Sequence, residues 1–143
     1  MVTFNTSLSP TAFKELINKL NMYSLDFEKA KADILEALTD YTYERIMFYV
    51  PVDTGKLMDS FMREVSGDVG RVYTDLYYAK YVEFGTGIRG SSSQYDTNYV
   101  SGITYSKSIE GQKAQKFMYK ALQDVERDYP EIARSVLIEK GLI

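Results

Sequence analysis

The longest regular pattern in the chain is an apolar stripe that recurs every three or four residues. Its members are Phe27, Ala30, Ile34, Ala37, Leu38, Tyr41 and Phe48. This spacing is typical of the buried face of an amphipathic α-helix. Pro51 follows, and a proline biases the residue before it towards extended geometry. The pattern therefore predicts one long helix with a buried stripe from Phe27 to Phe48, ending before Pro51.

Weaker patterns predict short elements on either side of this helix. Val2 and Phe4 alternate with polar residues, as in a strand, and residues 10–20 have helical spacing. Residues 62–65 and 69–74 resemble two strands that are joined by a turn at Ser66-Gly67-Asp68. Lys56 to Phe61 fits a short helix or a strand entry, Tyr77 to Phe84 fits either helix or strand, and Ile103 to Tyr105 fits a strand.

The second half of the chain predicts a long loop and a second helix. Residues 85–102 contain four glycines and three consecutive serines with no apolar periodicity, which favours a mobile loop or a disordered insertion. A final helix is expected from about Gly111 to Asp128, where Pro130 breaks it. Residues 130–143 then form a C-terminal extension with a short helix that Gly141 stops.

Helix, strands and helix occur in blocks, which indicates an α+β fold. We expect a long N-terminal helix and a C-terminal helix packed on one face of a small antiparallel sheet, with a long glycine- and serine-rich loop. The length of 143 residues fits a single domain over residues 1–143. No apolar run approaches the roughly 20 residues that span a bilayer, so we expect no membrane association.

The amino-acid composition excludes several kinds of catalytic, metal and nucleic-acid site. The chain has no cysteine and no histidine, which excludes disulfides, thiol catalysis and the commonest general base and transition-metal ligand. The formal net charge of −3 argues against tight binding to nucleic acid. The 13 tyrosines suit surfaces that are buried on one side and wet on the other, although tyrosine is also favoured in strands.

Three local patterns could carry chemistry, and each has a simpler structural interpretation. Asp53-Thr54-Gly55 matches the catalytic triplet of retroviral-type aspartic proteases, but it follows a helix and a proline, so we favour a turn in which Asp53 or Thr54 caps the next helix. The glycines of residues 85–90 lack the helix that a phosphate loop opens, and are expected to permit unusual backbone angles. Asp124 and Asp128 could chelate a hard cation, but charge pairing on a helix face is favoured. We therefore predict no cofactor, no metal and no catalytic site.

Four segments together resemble a known family. They are Val-Pro-Val-Asp-Thr-Gly-Lys-Leu at residues 50–57 with Ser60 after it, Tyr-Ala-Lys-Tyr-Val-Glu-Phe-Gly-Thr at 78–86, Ala-Gln-Lys-Phe-Met at 114–118, and Ala-Leu at 121–122. Their order and spacing over roughly residues 25 to 128 resemble the gene-product-ten type of neck or tail-component proteins of lambdoid long-tailed phages. The chain departs from that family at Lys116 and Tyr119-Lys120, where prolines are usual.

The resemblance implies a virion structural protein that is assembled in the cytoplasm of the bacterial host and forms a hexameric or dodecameric ring at the head–tail junction. Its partners would be itself, head-closure proteins, and tail-terminator or tail-tube proteins, with DNA only as passing cargo. The alternatives are a tail-terminator or tail-completion protein, a carboxylate-based hydrolase that uses Asp53, and a toxin- or chaperone-like binding module.

No catalytic residue is implied, and the expected site is an interface between subunits or rings. The residues we assign to it are Asp53, Thr54, Gly55, Tyr78, Tyr81, Glu83, Phe84, Gly85, Thr86, Tyr95 and Tyr99. We hypothesise that alanine at Tyr81 and Glu83 reduces assembly and leaves the monomer folded.

Overall fold

The structure, a computed structural model, describes residues 2–5, 27–52, 55–93 and 104–143. Three strands form one antiparallel sheet in the order β1-β3-β2: β1 is Val2–Asn5, β2 is Phe61–Ser66 and β3 is Val69–Thr74. The β2–β3 register runs from Phe61 opposite Thr74 to Ser66 opposite Val69. Gly67 has a φ of 58° in the two-residue turn, so the predicted strands and their glycine turn are confirmed.

Five helices complete the described part of the chain: α1 is Phe27–Tyr49, α2 is Lys56–Asp59, α3 is Ala79–Phe84, α4 is Gly87–Ser93 and α5 is Phe117–Glu139. α1 lies against β2 and β3, and α5 lies along α1. The two long helices are antiparallel, because Arg45 near the end of α1 pairs with Asp124 near the start of α5, while Asp33 pairs with Lys140. The predicted α+β fold, with long helices at both ends packed on a small antiparallel sheet, is confirmed. Among the described helices, none has both the length and the apolar character that crossing a membrane requires.

The helix pair buries two separate apolar clusters. The base cluster lies where α1, α5 and the sheet meet, and it contains Ile46, Val50, Leu57, Phe61, Val72, Ala79, Phe117, Met118 and Ala121. The far cluster lies at the other end of the helix pair, and it contains Ala30, Ile34, Leu38, Val125, Ala133 and Leu137. Phe61 and Phe117 meet edge to face with ring centroids 5.9 Å apart, which joins the sheet to α5.

The buried stripe of α1 differs from the prediction at its end. Phe48 is 69% exposed, so its assignment to the stripe is wrong. Ile46 and Val50 are buried instead, four residues apart and in register with Ile34 and Leu38. Phe48 lies on the outer side, where the Arg45 guanidinium sits 4.5 Å from its ring centroid.

Pro130 does not break α5, and residues 130–139 are its second half rather than an extension beyond it. A proline inside a helix costs about 3 kcal/mol, because it removes one hydrogen bond and crowds the preceding turn. Pro130 is on the exposed side, and the helix beyond it buries Ala133 and Leu137 against α1, which offsets this cost. Gly141 does end the helix as predicted, with a φ of 70° and a bond from Leu142 N to Leu137 O.

Three further predictions, all about the region before α5, are wrong. The last helix begins at Phe117 and not at Gly111, because residues 109–116 bond to residues 82–89 instead of to themselves. Residues 87–93, predicted to be loop, form α4. Thr104 and Tyr105 form no strand. The rest of the predicted loop, the helix at 10–20 and Ile103 lie outside the described residues.

Candidate interaction surface

A groove lies at the end of α1, and we call it the motif groove. Its apolar lining is Pro51, Leu57, Tyr78, Tyr81 and Val82, and its polar lining is Arg89, Gln112, Lys113 and Gln115, with Gly111 between them. Its volume is about 730 Å³. The groove brings together three of the four segments that carried the family resemblance, although they are far apart in the chain. The fourth contributes Ala121, which is buried in the base cluster.

The first wall is built by the turn after α1. Gly55 occupies the N-cap position of α2 with a φ of 71°, a conformation that favours glycine. The predicted sharp turn at Gly55 is confirmed, but the N-cap is Gly55 itself and not Asp53 or Thr54. Two residues after Gly55, Leu57 is buried in the base cluster and also borders the groove.

The second wall is α3, and the buried carboxylate of Glu83 fixes its position. Glu83 is 0% exposed, and its two carboxylate oxygens accept hydrogen bonds from Met118 N at 2.8 Å and Tyr119 N at 3.0 Å. The N-cap residue of α5, Lys116, supplies no side-chain cap and has a left-handed φ of 56°. Glu83 therefore caps α5 from outside the helix, and its negative charge lies at the positive end of the helix dipole.

The predicted role of Glu83 as an interface residue is therefore corrected. A fully buried carboxylate cannot present its charge to another subunit in this conformation. Removing it also leaves two buried or half-buried helix N–H groups without their acceptor. Replacement by alanine is expected to destabilise the subunit itself, contrary to the hypothesis that the monomer would stay folded.

Four glycines fix the third wall, where residues 109–114 cross residues 85–90. A β-carbon on Gly111 would lie 2.0 Å from Thr86 O, and one on Gly85 would lie 2.6 Å from Gln112 O. Thr86 and Gln112 exchange backbone hydrogen bonds of 2.9 and 3.1 Å at this crossing. Gly87 and Gly90 are also crowded: a β-carbon on Gly87 would lie 2.7 Å from Ile109 O, and one on Gly90 would lie 2.6 Å from Gly85 C and 2.8 Å from the ring of Tyr105. The prediction that the glycines of residues 85–90 permit unusual backbone angles is confirmed at Gly85 and Gly87, whose φ values are 77° and 61°. Gly90 and Gly111 add the close approach of the two backbones, which was not predicted.

Tyr105 packs beside Gly90, where residues 109–114 cross residues 85–90. Its hydroxyl donates to Phe84 O at 2.9 Å, and burial of the ring raises the pKa of the phenol. Ser93 Oγ accepts a bond from Ala114 N at 2.8 Å. These contacts hold Ser93 and Tyr105 against the crossing.

The sequence-predicted site residues are therefore divided among different environments. Tyr78 and Tyr81 line the groove, and Tyr81 is 41% exposed. Glu83, Phe84 and Gly85 are buried in the subunit, and Thr86 and Gly55 hold the walls in place. Asp53, Thr54, Tyr95 and Tyr99 lie outside the described residues.

The polar rim was missed by the sequence reasoning. Arg89 and Lys113 supply positive charge, and no carboxylate is among the described residues that line the groove. Arg89 pairs loosely with Glu110, at 3.4 Å, outside the lining. These residues come from a glycine-rich stretch and a non-helical segment, so no periodicity marked them. Gln115 alone lay inside a segment that carried the resemblance.

The acidic pair considered for a cation is engaged by donors. Asp124 Oδ2 accepts bonds of 2.8 Å from Arg45 Nε and from Tyr49 Oη. Asp128 is held by a two-bond contact with Arg127 and by the Tyr41 hydroxyl. Within the described residues there is no group of three or more side chains suited to hold a metal ion. The favoured alternative, charge pairing on a helix face, describes the contacts of Arg127 with Asp124 and Asp128. It does not describe Asp124 fully, because this carboxylate is buried and also bonds to α1.

The groove has apolar walls, exposed aromatic edges and a polar, cationic rim. Such a surface suits contact with a protein segment, because apolar area supplies affinity and the rim selects charge. In comparisons with known proteins, the sequence model of the bacteriophage HK97-gp10 tail-component family matches residues 14–85. That span includes the whole of α1, the β2–β3 hairpin and α3. No curated protein and no solved structure matches the chain.

Proposed function

Because the chain belongs to the bacteriophage HK97-gp10 tail-component family, we propose that it is the ring-forming subunit of the head–tail connector, or neck, of a phage particle. In this role it joins head-closure proteins to the tail and acts by occupying a position in the particle. Copies assemble in the cytoplasm of the bacterial host and remain in the virion.

The observation that carries this proposal is the motif groove. Where the structure describes them, the segments that mark the family build the walls of an apolar groove. Side chains at the edge of that groove, such as Tyr81, are left partly exposed in the subunit. Partly exposed aromatic residues beside an apolar groove are typical of protein interfaces.

The charge of the chain suits a ring through which DNA passes. With a formal net charge of −3, the chain as a whole has no positive excess. DNA binding depends mainly on the neutralisation of phosphates, so a ring whose lumen shares this balance lets the duplex slide. DNA is therefore a passing cargo, and the lasting partners are protein.

Immunogold electron microscopy of intact particles tests the position. Antibodies raised against the purified chain are expected to label the junction between head and tail. Label along the tail or at its far end would contradict the proposal. Labelling of particles stripped of tails separates head-side from tail-side attachment.

A tail-terminator or tail-completion role is the second candidate, and the family description as a tail component favours it. The two roles differ in what accumulates when the gene is inactivated. Loss of a neck subunit should leave finished tails beside filled heads. Loss of a terminator should leave tails of irregular length, and that result would replace the neck with the second candidate.

The role needs no catalysis, and the remaining enzymatic hypothesis depends on Asp53. We expect no peptide cleavage by the purified chain at acidic or neutral pH. The matched control is Asp53→Asn, which removes the carboxylate and preserves size. Cleavage by the native chain that disappears in Asp53→Asn would establish an aspartic hydrolase instead.

A further inference from the structure

The β2–β3 hairpin ends in an exposed tip, residues 64–69. Val65 and Val69 are 43% and 40% exposed there, on either side of a two-residue turn. The tip also contains Glu64 and Asp68 and no basic residue. Val65 is opposite Gly70 and Val69 is opposite Ser66, so the two valines lie on opposite faces of the hairpin. Glu64 pairs with Arg71 at 3.5 Å, whereas Asp68 is 69% exposed. The tip is therefore a narrow projection with an apolar side chain on each face and an exposed carboxylate at its end.

We propose that the hairpin tip of one copy of this chain docks in the motif groove of the next copy. This inference rests on the proposed ring and names the contact that builds it. The valines of the tip meet the apolar walls formed by Leu57 and Tyr81. The carboxylates of the tip meet the cationic rim formed by Arg89 and Lys113.

The tip cannot enter the groove of its own chain. Lys31, near the start of α1, pairs with Asp68 in the tip, whereas the groove begins at Pro51, just after the end of α1. Lys31 and Tyr49 are separated by about 27 Å along the helix, at a rise of about 1.5 Å per residue. The two surfaces therefore lie at opposite ends of one subunit.

Charge selects a contact between unlike surfaces. A tip against a second tip would bring two exposed Asp68 carboxylates together, and a groove against a second groove would bring like cations together. Tip against groove pairs opposite charges. A contact between two different surfaces of identical subunits grows into a closed ring or an open filament, which is the geometry that the proposed function requires.

The ion pairs already present at the two surfaces leave Asp68 and Arg89 accessible. Arg89 is 60% exposed at 3.4 Å from Glu110, which is 80% exposed, so exchange of this pair for one across the contact costs little. Lys31 is only 12% exposed, but Asp68 beside it is 69% exposed, so Asp68 can accept a second cation while its pair with Lys31 is kept.

Paired cysteines test the contact directly, because the chain contains no cysteine of its own. The test variant carries Val69→Cys in the tip and Gln112→Cys in the groove, both at partly or fully exposed positions. Under mild oxidation it should give a ladder of linked copies that ends at the ring. Either single variant should stay unlinked, and a mixture of the two should stop at linked dimers.

Three results would overturn the contact. The first is a linked dimer in either single variant, which would mean that like surfaces meet. The second is no ladder under conditions in which the native chain sediments as a ring. The third is a native chain that sediments as a monomer at every concentration up to its solubility limit. A matched control moves the tip cysteine to Met62, which is 41% exposed at the base of the same hairpin, and should give no ladder.

Lysine substitutions test the same contact by affinity. Val69→Lys places a cation against the cationic rim and should raise the concentration needed for half-assembly at least about tenfold, as expected for a central interface residue. Met62→Lys adds the same charge outside the tip and should change it little. Equal effects would contradict the proposal. A ring that forms through other surfaces would overturn this contact and leave the neck role intact. Immunogold label away from the head–tail junction would overturn the neck role and leave this contact intact.

Discussion

The two ends of the helix pair are stabilised in different ways. The far cluster is a seam of α1 and α5 in which aliphatic residues such as Ile34, Val125 and Leu137 meet at helical spacing. The base cluster also involves the sheet and two short helices. Its surroundings depend on the buried carboxylate of Glu83 and on glycines that no other residue can replace.

This difference shows that the residues at the base end determine the shape of a surface, whereas those at the far end contribute only to stability. A helical seam accepts many combinations of aliphatic residues, provided that volume is kept. The crossing at the base accepts few, because backbones approach closely and a charge must meet two particular N–H groups. The segments that resemble the phage family lie at the base end, which is also where the motif groove opens.

Two glycines with nearly the same backbone angle give the largest contrast between the ends. Gly111 and Gly141 have φ values of 69° and 70°. A β-carbon at Gly141 meets nothing within 4 Å, whereas one at Gly111 overlaps Thr86 O. Gly141→Ala should cost about 1 kcal/mol of unfolding free energy from left-handed strain alone. Gly111→Ala should cost more than about 3 kcal/mol, because the crossing must also open.

Urea unfolding followed by circular dichroism measures both variants. If Gly111→Ala loses no more stability than Gly141→Ala, the close crossing at the base does not exist in solution.

Replacement of Glu83 is expected to have the next largest effect. Glu83→Ala removes the acceptor of Met118 N and Tyr119 N and should cost about 2 to 3 kcal/mol, as for hydrogen bonds to a charged group. Glu83→Gln keeps one acceptor oxygen and should lose less. Amide hydrogen exchange should show faster exchange at the first turn of α5 than at its far end. Uniform exchange along α5 in Glu83→Ala would argue against a capping role.

The same isoleucine-to-valine substitution in each cluster compares how tightly the two clusters are packed. Ile34 and Ile46 lie on the same face of α1 and are 1% and 0% exposed. Ile34→Val and Ile46→Val should each cost about 1 kcal/mol, since each removes one buried methyl group. Similar values would assign the difference between the ends to the polar and glycine contacts. A loss at Ile46 several times larger than that at Ile34 would instead assign it to the apolar packing.

The sequence predicted the far end better than the base. Periodicity identified α1, its buried stripe up to Leu38 and the antiparallel hairpin, because each depends on spacing within a single segment. It misplaced Phe48, since the stripe continues through Ile46 and Val50 once the helix meets the sheet. It also ended α5 at Pro130, because a local rule about proline does not count the apolar area buried beyond it.

The base end depends on contacts between segments that are distant in the chain. Nothing near Lys116 indicates that the cap of α5 is Glu83, more than thirty residues earlier. The glycines of residues 85–90 were visible, but their crossing partner at Gly111 was not. Tyr81 was chosen through resemblance, whereas Arg89 and Lys113 carried no pattern that would select them.

The smallest expected effect lies between the two ends, where Asp128 joins Arg127 of α5 to Tyr41 of α1. Hydrogen bonds from Arg127, and then from Tyr41, hold the pKa of the Asp128 carboxyl well below its usual range. A carboxyl with a depressed pKa in the folded state stabilises the protein above its unfolded pKa, about 3.9. That stabilisation is lost as the pH falls towards the folded value.

The free energies of unfolding of the native chain and Asp128→Asn should therefore differ by a small, constant amount from about pH 7 to pH 5, and converge between about pH 5 and pH 2. Urea unfolding over this range measures the difference. Glu126→Gln, on the same helix, removes one negative charge without touching Arg127 or Tyr41 and serves as the control. If the native chain and Asp128→Asn keep the same difference down to pH 2, the ionised carboxylate does not help to hold α1 against α5, and the two ends are joined by the apolar seam and by the contacts of Asp124 alone.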